Sequence, residues 1–230
     1  MIIKSIRLAI RRLWIFKLNS FISIGGLAVA IAVALAIFSY TYHHYSFDRH
    51  IKDGENSYRL ISRYGQGTFN ANTFACFDDV LPEFDEVKSY TTAYTSHNVQ
   101  EVHVGDEKFE IEDVIFVDTN ALEFFSMNMV LGDVDKIGES NIAFITPQFA
   151  TKLFGTDNPM NKQIFIRSFT PQQDSLLAFT IGGIIKEAPQ SSHLKYDLLF
   201  SQKGHFSSII QLLKNRKVFG ASIYMKLPDN

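Results

Sequence analysis

The chain has 230 residues, of which 46% are hydrophobic, 20% charged and 13% aromatic, with 21 phenylalanines; this composition excludes a disordered chain and supports a real core. The length suits one ordinary domain with an appendage, or two small domains. The formal net charge of −2 hides an asymmetry, because residues 1–19 carry Lys4, Arg7, Arg11, Arg12 and Lys17 and no acid, leaving 17 basic against 24 acidic side chains in the remainder. A basic head before an apolar run points to a membrane and away from nucleic acid.

In the head, MIIKSIRLAIRRLWIFK, apolar residues Ile3, Ile6, Ala9, Ile10, Leu13 and Trp14 recur at three- and four-residue steps with cations between them. The spacing predicts an amphipathic helix over 1–18, lying on the cytoplasmic surface of a bilayer. Residues 19–42, NSFISIGGLAVAIAVALAIFSYTY, contain no charge. That length covers a hydrocarbon core of about 30 Å at about 1.5 Å per residue, and predicts a transmembrane helix. Arg11, Arg12 and Lys17 anchor its cytoplasmic end, which places the rest of the chain across the membrane. A cleaved secretory signal is the competing reading, since A-x-A sites occur in LAVAIAVALA. The run exceeds the roughly 7–15 residues of a signal core, and the head is long and patterned, so a retained span is favoured. Within the span Gly26, Ala30 and Ala34 repeat every fourth residue, a stripe on which a second helix could pack; the same residues are also simply common in such helices.

Of the three histidines that follow, His43, His44 and His50, helical spacing lets His43 and His50 share a face, but two imidazoles without a third ligand at a suitable step are weak evidence for zinc. Helical spacing instead predicts that the span continues as a stalk over 43–54. Phe47 and Ile51 would lie four apart on one side, with Asp48 and Arg49 in solvent, and Gly54 would end the helix. Tyr58 and Arg59, in NSYRLISRYG, open the first strand of a domain covering 55–230. FDDVLPEFDEV suggests a short helical or turn element broken by Pro82. QEVHVGDEKFEIEDVIFVD alternates on both sides of Gly105-Asp106, a hairpin pattern. TNALEFFSMNMVLGD reads as a short helix and loop. NIAFITPQFATKLFGTDNP is the clearest unit: a buried strand over 142–145, Thr146 as N-cap, Pro147 at the first helical position, an apolar face of Phe149, Leu153 and Phe154, and Gly155 as the stop. KQIFIR, FTIGGIIKEAP and KYDLLFS supply further strands. The fold class is α+β: one N-terminal transmembrane helix, then a mixed α/β extracytoplasmic domain.

Catalytic signatures are missing. No G-x-x-x-x-G-K-[ST] occurs, and Gly25-Gly26 and Gly182-Gly183 have neither the spacing nor the lysine of a phosphate cradle. No G-x-S-x-G elbow is present. Ser191, Ser192 and His193 are adjacent, which reads as a loop capped by hydroxyls, because nucleophilic triads assemble from separate segments. Cys76 is alone and can form no internal disulfide. No enzyme activity, resident cofactor or metal is expected.

Taken in order, the basic head, NSFISIGGLAVAIAVALAI, YSFDRHIKDGENSYRL, VDTNALEFFSMNMVLGD, NIAFITPQFATKLFGTDNPMNKQIFI and FTIGGIIKEAPQSSHLKYDLLFS resemble the MacB/FtsX-like family of ABC transporter permeases: its first membrane helix and its MacB-like periplasmic core domain. The resemblance runs from about Ile3 to Ser201 and extends to the strand ASIYMKL. It implies a mechanical coupler in the inner membrane, N-terminus cytoplasmic, whose extracytoplasmic domain moves when a separate ATPase subunit binds and hydrolyses ATP. It also implies as partners the bilayer, that ATPase, further permease helices or a second permease chain, and a periplasmic or outer-membrane protein. Family members carry four membrane helices and this sequence one, so an N-terminal fragment with a domain incomplete at its C-terminal end is expected. A single-span, membrane-tethered binding or sensory module without an ATPase is the alternative.

Overall fold

The computed structural model describes residues 11, 14–63, 65, 67–96, 99, 101–167, 176–216 and 219–228. The chain divides between Phe47 and Asp48 into two compact units. The expected amphipathic head, Arg12 included, falls almost wholly outside the described residues.

The first unit is one helix, α1 (Lys17–Tyr45), none of whose residues is buried. Its 29 residues give a length of about 44 Å, more than a hydrocarbon core of about 30 Å requires. Apolar side chains project on every side, with Leu27, Ile31, Leu35 and Phe38 largely exposed on one side and Ile22, Val29, Val33 and Ile37 on the other; a helix apolar all round needs an apolar environment. Ser46 closes its last turn, the amide donating to Tyr42 O at 3.0 Å and the hydroxyl to His43 O at 2.7 Å.

The expected helical stalk to Gly54 is corrected here. Helix α1 ends at Tyr45, and Asp48 and Asp53 adopt φ of +57° and +56°. A left-handed residue cannot propagate a right-handed helix, and aspartate is among the few side chains that tolerate it. Phe47 and Ile51 therefore do not share a helical side: Phe47 packs edge-on against His43, with ring centroids 5.1 Å apart, while Ile51 is buried in the core of the second unit. Gly54 opens a short 3₁₀ turn, Gly54–Asn56, instead of ending a helix.

The second unit is built on a mixed sheet. In chain order its elements are β1 (Ser57–Arg59), β2 (Ser62–Arg63), β3 (Phe69–Asn70), β4 (Thr73–Phe74), β5 (Ser89–Ser96), β6 (Glu101–Val104), β7 (Glu107–Glu110), β8 (Val114–Val117), α2 (Ala121–Phe124), β9 (Met129–Gly132), β10 (Ile142–Ile145), α3 (Pro147–Phe154), β11 (Gln163–Arg167), β12 (Leu176–Ile185), β13 (Leu198–Ser201), α4 (Ser207–Arg216) and β14 (Phe219–Lys226). The main path runs β1-β14-β5-β8-β13-β10-β12-β11-β6-β7, with β4 beside β14 and β9 beside β12. Strands β8 and β13 pair in parallel, as do β10 and β12; the other pairings in this sheet are antiparallel.

The three central strands are buried on both faces, and period-2 alternation divides their side chains between two cores. Val114 and Phe116 of β8, Ala143 and Ile145 of β10, and Leu198 and Phe200 of β13 enter one core, covered by Phe149 and Leu153 of α3 and Ile210 of α4. The intervening Ile115, Val117, Ile142, Phe144 and Leu199 enter the other, with Ile51, Leu122, Phe125, Tyr196 and Tyr224. The strand-turn-helix unit follows its sequence: Thr146 Oγ1 accepts from the Phe149 amide at 3.3 Å, Pro147 sits in the first turn, and Gly155 ends α3 at φ +62°. Pro82 differs from expectation. It lies in the opening turn of a 3₁₀ segment, Leu81–Glu83, where a missing N–H costs nothing, so it starts that element and does not break it.

Gly182 and Gly183, dismissed above as a phosphate cradle, have a packing role. A Cβ on Gly182 would lie 2.7 Å from Ile142 Cγ2 and 3.0 Å from Phe144 Cε1, and one on Gly183 would lie 3.1 Å from Leu131 O. Strand β12 can carry β9 and β10 closely only because these positions have no side chain. Two polar ties brace the sheet. Asp118 accepts from Thr91 Oγ1 at 2.6 Å and from the amides of Thr92 and Asn120, yet burial pushes its carboxyl above the ordinary range. Lys214 of α4 pairs with Asp78 at 2.9 Å and Asp79 at 2.6 Å, fixing α4 to the 3₁₀ segment Ala75–Asp79.

Candidate functional site at the start of the domain

Asp48 is the first residue of the second unit and lies three residues beyond the last residue of α1. Its left-handed backbone turns both its amide and its carboxylate toward the loop Ser191–His193. The Asp48 amide donates to Ser191 O at 2.8 Å. The His193 amide donates to Asp48 Oδ1 at 3.0 Å, and His193 Nδ1 lies 2.8 Å from Asp48 Oδ2. Three hydrogen bonds thus join the first residue of the second unit to a loop up to 145 positions away.

The chemistry of the partners places one ring proton. A carboxylate only accepts, so Nδ1 carries the proton toward Asp48. In the neutral ring Nε2 accepts from Tyr224 Oη, 3.0 Å away. Tyr224 is a buried residue of β14, and burial pushes its phenol above its ordinary value although the Arg59 charge pulls the other way. The phenol therefore keeps the proton it donates. Phe125 stacks edge-on against Tyr224 at 4.9 Å and lies 6.2 Å from the His193 ring, walling off one side.

Arg59 completes the arrangement from β1. Its guanidinium lies 5.3 Å from the Tyr224 ring centroid and donates to Ala71 O at 2.9 Å, Ser222 Oγ at 2.7 Å and Asn72 Oδ1 at 3.3 Å. The planar fork thereby ties β1 to the turn before β4 and to β14. Asp48, Arg59, Phe125, His193 and Tyr224 line a cleft of ≈ 330 Å³. Mechanically the arrangement is a clamp: the chain reaches the sheet through Asp48, and the sheet holds it through His193 and Tyr224.

Of the residues singled out from sequence, Asp48 and Arg59 meet around Tyr224. Tyr58 lines the same cleft and is 48% exposed. Arg49 points to solvent, and Phe47 belongs to the first unit. Arg11 and Lys17 are exposed, with Lys17 Nζ 5.6 Å over the Trp14 ring; Arg12 is not described. Gly26, Ala30 and Ala34 are exposed along α1, and a Cβ added to Gly26 would meet nothing within 4 Å. His43 and His44 pack with Phe47 and Tyr40, and among the described residues no three His, Cys, Asp or Glu side chains converge as metal ligands. Sequence reasoning missed His193, Tyr224, Ser222 and Asn72. The hydroxyl-capped loop is real, since Ser192 Oγ donates to Leu194 O at 3.1 Å. The position of His193 between Ser192 and Leu194 carried no sign of its distant partner.

Known proteins supply the last observations. The profile of the family described as MacB-like periplasmic core domain matches residues 20–230. No curated protein matches the chain. Solved structures share the fold. A domain of a protein described as a permease from Porphyromonas gingivalis superposes at TM-score 0.64 with 14% identity, covering 78% of each chain. The periplasmic region of MacB from Actinobacillus actinomycetemcomitans gives TM-score 0.52 and 14% identity over 79% of this chain and 78% of that one. The extracellular domain of the noncanonic ABC-type transporter YknZ from Gram-positive bacteria gives 0.52 and 13% over 76% and 84%. With an apolar helix followed by a mixed sheet of this topology, and a family profile spanning nearly its whole length, the chain belongs to the MacB-like periplasmic core domain family of transporter permease components.

Proposed function

We propose that the protein is a permease component of an ABC transporter of the MacB/FtsX type, held in the cell membrane by α1 with its N-terminus in the cytoplasm. ATP hydrolysis by a separate cytoplasmic subunit shifts the membrane helices, and the second unit moves in response to export or extract a substrate. The chain itself carries out no catalysis and holds no nucleotide. Membrane anchoring is supported by the length and all-round apolarity of α1, and the transporter assignment by the family. The observation that carries the coupling is the Asp48 clamp. A moving helix does work on a domain only through a point the domain holds firmly, and the three hydrogen bonds that fix Asp48 within the second unit, three residues past the helix end, support that role for it. Further permease helices or a second permease chain complete the pathway, and a periplasmic or outer-membrane protein receives the substrate.

The test is purification of the full chain from its native membrane in mild detergent, with identification of what accompanies it. Recovery of an ATPase subunit whose turnover changes in Asp48→Ala, at unchanged assembly, supports this function. A lone chain retaining a small ligand supports a membrane-tethered binding module and overturns the coupling.

A further inference from the structure

A second cleft, of ≈ 680 Å³, opens in the second unit and is lined by Lys52, Lys88 and Lys226. Among the described residues none of the three forms an ion pair with a carboxylate, and Asp53 and Glu123 on the same lining form none either. Three cations thus share one concavity with two carboxylates, a formal excess of one positive charge with no ion pair among them. Lys226 is held in place: its Nζ donates to Lys52 O at 2.7 Å and lies 4.8 Å over the Phe124 ring, leaving two N–H donors for a ligand. Lys52 and Lys88 are exposed and free to close on an anion. Part of the lining is apolar, contributed by Val87, Phe124 and Leu227, beside the polar Ser89, Tyr90 and Asn120.

We infer that this cleft binds the phosphodiester headgroup of an anionic membrane lipid. Ammonium groups beside an apolar wall match a phosphate ester that carries an apolar substituent; the wall offers nothing to a free anion. The site is also tethered close to its ligand. Lys52 is seven residues past Tyr45, and a fully extended chain of that length spans at most about 25 Å. If α1 spans a bilayer, this length keeps Lys52 close to the membrane exit, so a cleft turned toward the headgroup layer can reach it. The inference rests on the membrane-anchored reading of α1 and is independent of any ATPase.

The experiment uses the full chain in detergent micelles, delipidated and then titrated with phosphatidylglycerol or phosphatidylcholine, with bound lipid counted by native mass spectrometry. Phosphatidylglycerol is expected to bind at least about tenfold more tightly, and each of Lys52→Gln and Lys88→Gln to weaken it about fivefold without altering phosphatidylcholine. Both side chains are exposed, and unchanged circular dichroism verifies the fold. Equal retention of the two lipids overturns the inference. So does a preference that survives the double substitution and disappears with Lys17→Gln, which would place the lipid at the other end of α1. Displacement by equimolar inorganic phosphate would make the site a free-phosphate site and also overturn it. Because no ATPase is present, each of these failures leaves the transporter reading standing, and a missing ATPase partner leaves the lipid result standing.

Discussion

Replacing Asp48 by alanine removes both acceptors offered to His193 and leaves the Asp48 amide bond to Ser191 in place. A hydrogen bond to a charged group contributes about 1.5–3 kcal/mol, but the side chains here are 33% and 29% exposed, so water replaces part of each bond. The hydrogen bonds account for an expected loss of about 1–2 kcal/mol, and the left-handed φ of position 48, less readily taken by alanine than by aspartate, adds about 1 kcal/mol; at a urea slope of about 2 kcal/mol/M the midpoint of domain unfolding falls by about 1–1.5 M. His193→Ala should cost about 1–2 kcal/mol, because it loses the ring contacts to Asp48 and Tyr224 while keeping its backbone donor. The double variant should lose less than the sum, with a coupling of about 1 kcal/mol. Near-ultraviolet circular dichroism of the full chain in detergent follows the tyrosines of the second unit through the transition. Coupling within about 0.3 kcal/mol of zero would refute the clamp, since residues that act independently add.

Three further outcomes follow from the same structure. Tyr224→Phe leaves His193 Nε2 without its donor and should lower stability by about 1 kcal/mol, read as a urea midpoint; no change would remove Tyr224 from the clamp. Gly182→Ala drives a methyl into Ile142 and Phe144 and should cost about 1–3 kcal/mol; a neutral result would show that β9 and β10 do not close on β12 as described. Asp118 titrates in the folded state above its unfolded value of about 3.9. Its protonation therefore favours the fold, fully below that unfolded value, and the gain is lost as pH rises through the folded pKa. Wild type should gain on Asp118→Asn as pH falls from 7 toward 4, and a pH-independent difference between their urea midpoints would contradict the raised carboxyl.

Local signals in the sequence located what depends on local physics. The uncharged run from Asn19 became α1, which extends beyond it to Lys17 at one end and, where Ser46 caps the last turn, to Tyr45 at the other. Thr146, Pro147 and Gly155 set both ends of α3, and Gly105-Asp106 forms the two-residue turn between β6 and β7. The segment 43–54 failed for a specific reason. Its composition is compatible with a helix, and only the bonds that Asp48 makes to Ser191 and His193 select the left-handed turn that stops one. The bonds to His193 cross 145 positions, and the contact of Arg59 with Ser222 crosses 163, so no window of sequence contains both partners. Strand order was illegible on the same grounds: β14 lies between β1 and β5 by pairing across the length of the domain. The glycine pair in β12 was visible but uninterpretable, since close approach of two other strands is a property of the sheet alone.

The central claim, that motion reaches the domain through Asp48, is tested most directly by hydrogen exchange of the native complex with and without ATP. Amides of Ile51, Ser192 and His193 should change protection on ATP addition in the wild type and lose that response in Asp48→Ala, with the rest of the sheet alike in both proteins. An identical ATP response in the two, or none in the wild type, would contradict it.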